Sequence, residues 1–280
     1  MRHFCTVSDI NYLPQGLALY HSLLDKDPNF KLHYFCIDEQ TFERVKKYSN
    51  IVPYSEGIVK NCEPLYNTKV REYKRYCWHL TPWFTKYVSD VVGEVTYLDA
   101  DIFFHKNWAR LFEEFGDKDI GIFRHRQFPY GQPRIEGYFN VGVMYFNSSD
   151  NARNVLSWWA DAVINNKYPN LATCGDQKYL DAFPTLCKAG KLFIDGNIGH
   201  GAPWQWQVYD FSEYSNSGKI IWEGIKQDLV FSHFSQFKIT DNSYIPSTQH
   251  HCYTSLEYYK SNPALKNIYD NYFEEVNKHG

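Results

Sequence analysis

Val95-Thr96-Tyr97-Leu98-Asp99-Ala100-Asp101-Ile102-Phe103-Phe104 is the stretch on which the reading of this chain turns. Its first four residues are apolar, aromatic or β-branched, a composition suited to a buried strand. Asp99 and Asp101 then interrupt the apolar run, and Ile102-Phe103-Phe104 resumes it. Side chains in extended chain alternate with a period of two, so carboxylates two residues apart can point the same way and share one ion. In open α/β sheets ligands bind beyond the carboxyl ends of strands, which is where the pair falls. Two unpaired carboxylates between apolar runs are costly unless a cation compensates them. Oxygen ligands suit Mg²⁺ or Mn²⁺, ions held by one or two carboxylates together with substrate phosphates. An Asp-x-Asp tripeptide alone occurs in any solvated turn; its setting here is what points to a metal.

Outward from this stretch, strands alternate with helices. Residues 4–8 are short and apolar, residues 13–24 carry Leu17, Leu19, Tyr20, Leu23 and Leu24 at helical spacing, and residues 32–37 form a second apolar run. That is a strand-helix-strand unit, and parallel strands follow from it. Residues 42–48 read as a helix, 51–54 as a strand, and 73–88 as a helix that starts at Pro82 or kinks there. Beyond the acidic pair come a strand at 120–123, a polar loop at 126–137, a strand at 141–146 and a helix at 152–164. A helix near 177–183, strands at 192–194 and 229–231, and a terminal helix at 263–276 complete the pattern. The expected fold class is α/β with a mainly parallel central sheet, divided into one α/β domain (1–245) and a C-terminal helical extension (246–280).

Bulk composition narrows the function. Of 280 residues 44% are hydrophobic and 22% charged, which is ordinary globular usage. The net charge is -3, and without a Lys/Arg block the chain lacks the electrostatic footprint of a nucleic-acid binder. No apolar run is long enough for a membrane span, and Met1-Arg2-His3-Phe4-Cys5 carries no signal-peptide pattern, so a cytoplasmic location is expected. The seven cysteines are scattered and never spaced as CxxC, which argues against a disulfide framework and a zinc site. Aromatic residues reach 18%; rings stack on sugars, but core packing accounts for most such residues.

Tyr97-Leu98-Asp99-Ala100-Asp101-Ile102-Phe103-Phe104 resembles the metal motif of GT-A glycosyltransferases, especially the retaining group that includes glycogenin and bacterial lipopolysaccharide galactosyltransferases. Val7-Ser8-Asp9-Ile10-Asn11-Tyr12 is similar to that group's nucleotide-binding opening. Phe139-Asn140-Val141-Gly142-Val143 resembles its FNxG segment, and Cys174-Gly175-Asp176-Gln177 its xxDQ segment. The resemblance implies a Rossmann-like GT-A fold and transfer of a hexose-type sugar from a nucleotide-diphosphate donor, with UDP as the expected nucleotide, to a glycan or lipid-linked acceptor with retention. Asp9, Asn11 and Tyr12 would contact the nucleoside. Asp99, Asp101 and His233 would hold Mn²⁺ or Mg²⁺ on the donor's pyrophosphate. Asp176, Gln177 and Asn140 would face the sugar, with Gln177 positioning it, while Arg75 and Lys238 would meet the donor. Gln236 stands where the group has a glycine between the histidine and the lysine, which weakens the Lys238 match.

Local readings compete with several of these assignments. Asp9 to Tyr12 also fits an Asx-type turn leading into a helix. Lys86 reads better as part of a solvated helix face than as a donor contact. Gly199-His200-Gly201-Ala202-Pro203-Trp204-Gln205-Trp206 suits a loop that lets backbone approach a sugar under an indole, or a tight turn with buried tryptophans. A nucleotidyltransferase would need a Gly-rich basic loop where residues 9–16 stand, and a non-enzymatic carbohydrate-binding protein would bind its ion structurally. The terminal segment's lysines are offset by Glu257, Asp270, Glu274 and Glu275, so peripheral membrane contact is the lesser reading there.

Overall fold

The opening unit forms where its spacing predicts: β1 (Arg2–Ser8), α1 (Leu13–Leu24) and β2 (Phe30–Cys36), with β1 and β2 parallel from Arg2 opposite Phe30 to Ser8 opposite Cys36. The computed structural model describes residues 1–60, 62–126, 135–171, 174–248 and 255–280. Asp38 caps α2 (Glu39–Val45) by accepting the N–H of Thr41, and β3 (Ile51–Ser55) then pairs parallel with β2. After α3 (Glu63–Arg71), α4 (Tyr73–Val92) runs through Pro82 as one helix. It starts well before the proline, which cannot donate to the carbonyl of Trp78 four residues earlier.

The acidic stretch divides between two sheets. β4 (Val95–Leu98) pairs parallel with β1, whereas β5 (Ile102–Phe104) leaves the main sheet. Past α5 (Ala109–Phe115) come β6 (Ile120–Arg124), β7 (Phe139–Phe146) and α6 (Asp150–Ile164), whose cap Ser149 accepts from Ala152. The segment at Gln177–Ala182 is a 3-10 turn that runs into α7 (Phe183–Leu186), and β8 (Leu192–Ile194) closes the main sheet. Its order is β3-β2-β1-β4-β7-β6-β8, parallel except where β7 pairs with β4 and with β6. The expected α/β class with a mainly parallel sheet is the observed one.

The last third builds a smaller sheet from β9 (Gly199–Gly201), then, after α8 (Tyr214–Ser217), β10 (Lys219–Trp222) and β11 (Ile225–His233), with β5 at its edge. A hairpin of β12 (Lys238–Thr240) and β13 (Ser243–Ile245) precedes α9 (Leu256–Ser261) and α10 (Pro263–Asn277). Three apolar clusters hold these layers together. One packs α4 and α6 on the main sheet around Phe84 and Trp159; another packs α1 and α5 on it around Leu17 and Trp108. The third joins α10 to the small sheet, where Tyr272 stacks on Phe234 and Trp206 donates to the Tyr269 hydroxyl at 3.1 Å. Trp159, Trp206, Tyr34, Tyr76, Tyr269 and Tyr272 are fully buried, so much of the high aromatic content is core. Among the described residues no helix is long and apolar enough to cross a membrane.

Candidate active site

The strand order reverses beside β1. From β1 the chain passes through α1 to β2 on one side, and α3 and α4 carry it back to β4 on the other. Such a switch point opens a crevice at the carboxyl ends of the strands. Asp9 follows β1 and Asp99 follows β4 at this place, and both line a cavity of about 600 Å³.

The departure of β5 from the main sheet assembles the acidic cluster. β5 pairs antiparallel with β11 so that Ile102 lies opposite His233, and Phe234 N–H donates to the Asp101 carbonyl at 2.9 Å. His233 Nε2 thereby comes within 3.0 Å of Asp101 Oδ1 and 3.5 Å of Asp99 Oδ2. Each of the three residues offers one ligand atom, all within 4.8 Å of one another. Two carboxylate oxygens and one imidazole nitrogen fit a divalent ion, Mn²⁺ more readily than Mg²⁺.

The neighbouring hydrogen bonds fix the histidine's tautomer. Asn140 Oδ1 accepts from the Gly142 N–H at 2.9 Å, which identifies it as the oxygen, so the proton between it and His233 Nδ1, 3.0 Å away, belongs to Nδ1. Nε2 is left facing the carboxylates, the arrangement a metal-binding histidine needs. Gly142 is required by space: a Cβ there would stand 2.5 Å from His233 Nδ1. Asn140 Nδ2 in turn donates to Gln177 Oε1 at 2.9 Å, and Gln177 Nε2 donates to the Glu136 carbonyl at 3.1 Å. The FNxG and DQ segments are therefore one hydrogen-bonded chain ending at His233.

Negative charge exceeds positive in this cluster. Burial raises the pKa of Asp99 and the charge of Asp101 adds to it, against the opposing effects of His233 and of the Tyr97 hydroxyl, which donates to Oδ1 at 2.7 Å. Asp176, 3% exposed, is pushed well above the usual carboxylate range by burial and then by Asp99. Burial opposes the charge of His233, but the carboxylates of Asp101 and Asp99 outweigh it and raise the imidazole's pKa. Tyr12, on the cavity wall, is pushed up to about 12 by burial and the neighbouring carboxylates.

The remaining expected residues separate into those that face the cavity and those that do not. Asp9 and Tyr12 line it, but the Asp9 carboxylate also makes the Asx turn, accepting from Asn11 N at 3.0 Å and Tyr12 N at 3.1 Å while Tyr73 donates to its other oxygen at 2.9 Å. Asn11 Nδ2 donates to Asp9 at 3.2 Å, and Asn11 is not among the described lining residues. Gln177 and Asn140 line the cavity; Asp176 does not, and its carbonyl accepts from Trp159 Nε1 at 3.0 Å. Lys238 is exposed at the start of β12, outside the described lining, while Gln236 lines the cavity with φ at 61°. Gln236 thus keeps the backbone shape that glycine favours. Arg75 faces a smaller cavity behind Trp78, and Lys86 pairs with Asp90 at 2.6 Å on the helix surface.

Of the loop at 126–137, residues 127–134 lie outside the described residues; His125 and Glu136 line the cavity. The segment 199–206 joins a strand to the expected turn with buried tryptophans: residues 199–201 are β9, residues 203–205 form the turn, and Trp204 and Trp206 are both buried. Gly199 and Gly201 lie in β9, where a Cβ would stand 2.4 Å from the Asp228 carbonyl oxygen and 1.9 Å from the Trp206 ring, so the glycines admit the chain's own atoms. Trp206 packs in the core, while Trp204, also buried, borders the cavity and meets the rings of His125 and His233 edge-on, each with centroids 5.3 Å apart. Sequence reasoning missed Trp78 and Thr81 as wall residues. Their signal is a stripe on α4, Lys74, Trp78 and Thr81, at three- to four-residue spacing.

No family model matches the chain. Two uncharacterized Bacillus subtilis (strain 168) proteins are similar in sequence. YfnF is 30% identical over 258 residues, 84% of this chain and 82% of YfnF. YfnD is 24% identical over 248 residues, 85% of this chain and 78% of YfnD. The galactosyltransferase LgtC has a similar structure, with a TM-score of 0.58 and 15% identity across 99% of this chain and 96% of LgtC. Mouse xyloside xylosyltransferase 1 is also similar, with a TM-score of 0.52 and 18% identity across 83% of this chain and 97% of that one.

Proposed function

Because this chain belongs to the family of Bacillus subtilis YfnF and has the GT-A glycosyltransferase fold, we propose that it is a metal-dependent glycosyltransferase that moves a hexose-type sugar from a UDP-sugar to a glycan or lipid-linked acceptor, with retention. The observation that carries this reading is the convergence of Asp99, Asp101 and His233 at the switch point, in a cavity that also takes in Asp9, Tyr12, Asn140 and Gln177.

In this reading Asp99, Asp101 and His233 hold one divalent cation, which when bound supplies the positive charge that stabilises a leaving diphosphate. Tyr12 offers its exposed ring to the base, and Asp9 holds the turn that presents it. Gln177 positions the sugar: its oxygen accepts from Asn140 and from Val141 N–H at 3.3 Å, so the carboxamide is held in one orientation. Asp176, buried and outside the described lining, supports that turn through its carbonyl, which accepts from Trp159 Nε1 at 3.0 Å. Retention, the donor's identity and Lys238 as a diphosphate contact rest on the family resemblance.

The test is a calorimetric titration of the purified protein with UDP and Mn²⁺, repeated with EDTA and with Asp101→Ala. Binding that needs Mn²⁺ and disappears in the variant supports the donor site. Binding of GDP in place of UDP changes the donor alone; no metal-dependent binding of any nucleoside diphosphate removes the reading.

A further inference from the structure

Tyr73 opens α4, 64 residues beyond Asp9, yet its hydroxyl donates to Asp9 Oδ2 at 2.9 Å. The other oxygen of the same carboxylate accepts the backbone N–H of Tyr12 at 3.1 Å. Tyr12 and Tyr73 are therefore held by the two oxygens of one carboxylate, and all three residues line the main cavity. Both tyrosines are exposed, Tyr12 by 42% and Tyr73 by 46%, so a ligand in the cavity can reach them.

Asp9 has nothing left with which to read that ligand. A carboxylate accepts at about four lone-pair positions. Asn11 N and Tyr12 N donate to Oδ1, while Asn11 Nδ2 and the Tyr73 hydroxyl donate to Oδ2. These donors fill the carboxylate, and they constrain Tyr73 in turn. Burial and then the hydrogen bond to Asp9 raise the pKa of the phenol, so it keeps its proton at neutral pH. That proton is committed to Asp9, and a hydroxyl in this position can only accept from a further partner. The Cys77 thiol, one turn along α4 and also in the lining, is pushed up to about 11 by burial and the Asp9 charge and stays a weak donor. The wall beside Tyr12 thus presents a phenolic oxygen of fixed polarity.

We propose that Tyr73 selects the donor's base: its oxygen accepts a ring N–H of the nucleobase that stacks on Tyr12, which favours uracil or guanine over cytosine or adenine. The inference rests on the glycosyltransferase reading, which puts a nucleobase at Tyr12. Uracil N3–H and guanine N1–H are donors, whereas the corresponding nitrogens of cytosine and adenine carry lone pairs. An acceptor facing an acceptor leaves both unpaired, and a site built to bond an N–H rejects the analogue that lacks it. A base that reaches the Tyr73 oxygen stands one further hydrogen bond away from Asp9. Asp9 is accordingly a positioning residue, which fixes the direction of the phenol's proton.

The test is calorimetric titration of the full chain in Mn²⁺ with two pairs of nucleotides matched in ring size, UDP against CDP and GDP against ADP. Matching the rings separates hydrogen bonding from fit. In the wild type the N–H base is favoured about tenfold within a pair. Tyr73→Phe keeps the ring and removes the oxygen: the affinity for UDP falls to that for CDP, and CDP binding is unchanged, which shows that the site still stands. A wild type that does not favour the N–H base overturns the assignment. So does a preference for UDP that survives in Tyr73→Phe, which would give the base to Asp9 directly, and so does an equal weakening of UDP and CDP, which would make Tyr73 structural. Nucleotides that bind with Mn²⁺ but without discrimination remove the role of Tyr73 alone. If none of the four binds, the glycosyltransferase reading falls and base selection falls with it.

Discussion

Two buried charged clusters lie within this fold, and they are built on opposite plans. Around Asp195, whose side chain is 1% exposed, Arg124 donates through Nε at 2.8 Å and through its backbone N–H at 2.7 Å, and Arg126 donates at 3.1 Å. Arg126 then donates to Gln227 Oε1 at 2.9 Å and to the Ile198 carbonyl at 3.1 Å, with the Trp222 ring 3.8 Å from its guanidinium. Around Asp99, the carboxylates of Asp99 and Asp101 share one imidazole, and the charge of Asp99 also bears on the buried carboxyl group of Asp176. A buried charge is tolerated when it is paired and hydrogen-bonded. The Asp195 cluster meets that condition with the chain's own groups and so reads as structure. The Asp99 cluster does not, and the shortfall is what the proposed cation offsets.

The comparison can be broken at either cluster. The largest expected effect is on turnover. With Mn²⁺ and UDP-sugar, Asp101→Ala lowers the rate by about 10³-fold, the scale of losing a main electrostatic stabiliser of a transition state. A loss below tenfold in a steady-state assay would dissociate the cluster from catalysis. Next comes Asp195→Asn, which leaves two guanidiniums without their carboxylate and destabilises the fold by about 3 kcal/mol in denaturant unfolding. An unchanged midpoint would mean that this cluster is not the structural one.

Acid separates the clusters less strongly. Asp195 would be raised by burial, but His200, the Arg126 charge and the Arg124 N–H hold it well below the usual carboxylate range. Burial and the Arg126 charge hold His200 at about 4. His200 has a folded pKa below its unfolded value, so the unfolded chain takes up the proton first. Stability is full above about pH 6.5 and declines as the pH falls toward 4. Asp195 adds stability that is present above its unfolded pKa of about 3.9 and is lost as the pH falls through its lower folded value. Replacing His200 with Gln should flatten the decline between pH 6.5 and 4 in melting curves. A slope identical to wild type would assign the acid sensitivity elsewhere.

The contrast also marks what the sequence could reveal. The strand-helix alternation and the acidic end of β4 were legible because apolar spacing reports which face is buried, and the Asp99/Asp101 pair follows from the period of a strand. Residues 199–201 could not be read as a strand, since Gly-His-Gly has no strand propensity; β11 makes it one by pairing with it. α3, α5 and the β12–β13 hairpin escaped notice because they are short or polar. His233 became a candidate through resemblance alone, since its approach to Asp101 depends on β5 pairing with a strand more than a hundred residues away. Arg126, Asp195 and Gln227 gave no local signal for the same reason: their contacts join separate segments. Arg75, by contrast, was a visible cation whose direction only the packing of Trp78 and His79 decides.

The smallest expected effect sharpens the comparison most, because the same chemical change at the two clusters should act with opposite sign. Asp99 has a folded pKa raised by burial, so its ionised form is disfavoured in the native state relative to the unfolded chain. For an acid raised in this way, native stability is reduced at pH values above its unfolded pKa. Asp99→Asn removes the charge and keeps an oxygen to accept the Tyr97 hydroxyl, so in EDTA at pH 8 it should raise unfolding stability by about 1 kcal/mol, the usual scale for relieving a functional site's built-in cost. With Mn²⁺ the order reverses, since a ligand that binds only the native state stabilises the wild type and has little hold on the variant. Thermal unfolding of both proteins with and without Mn²⁺ measures the two signs together. If Asp99→Asn is destabilising in EDTA, as Asp195→Asn is expected to be, the cluster is balanced by its own residues and needs no cation.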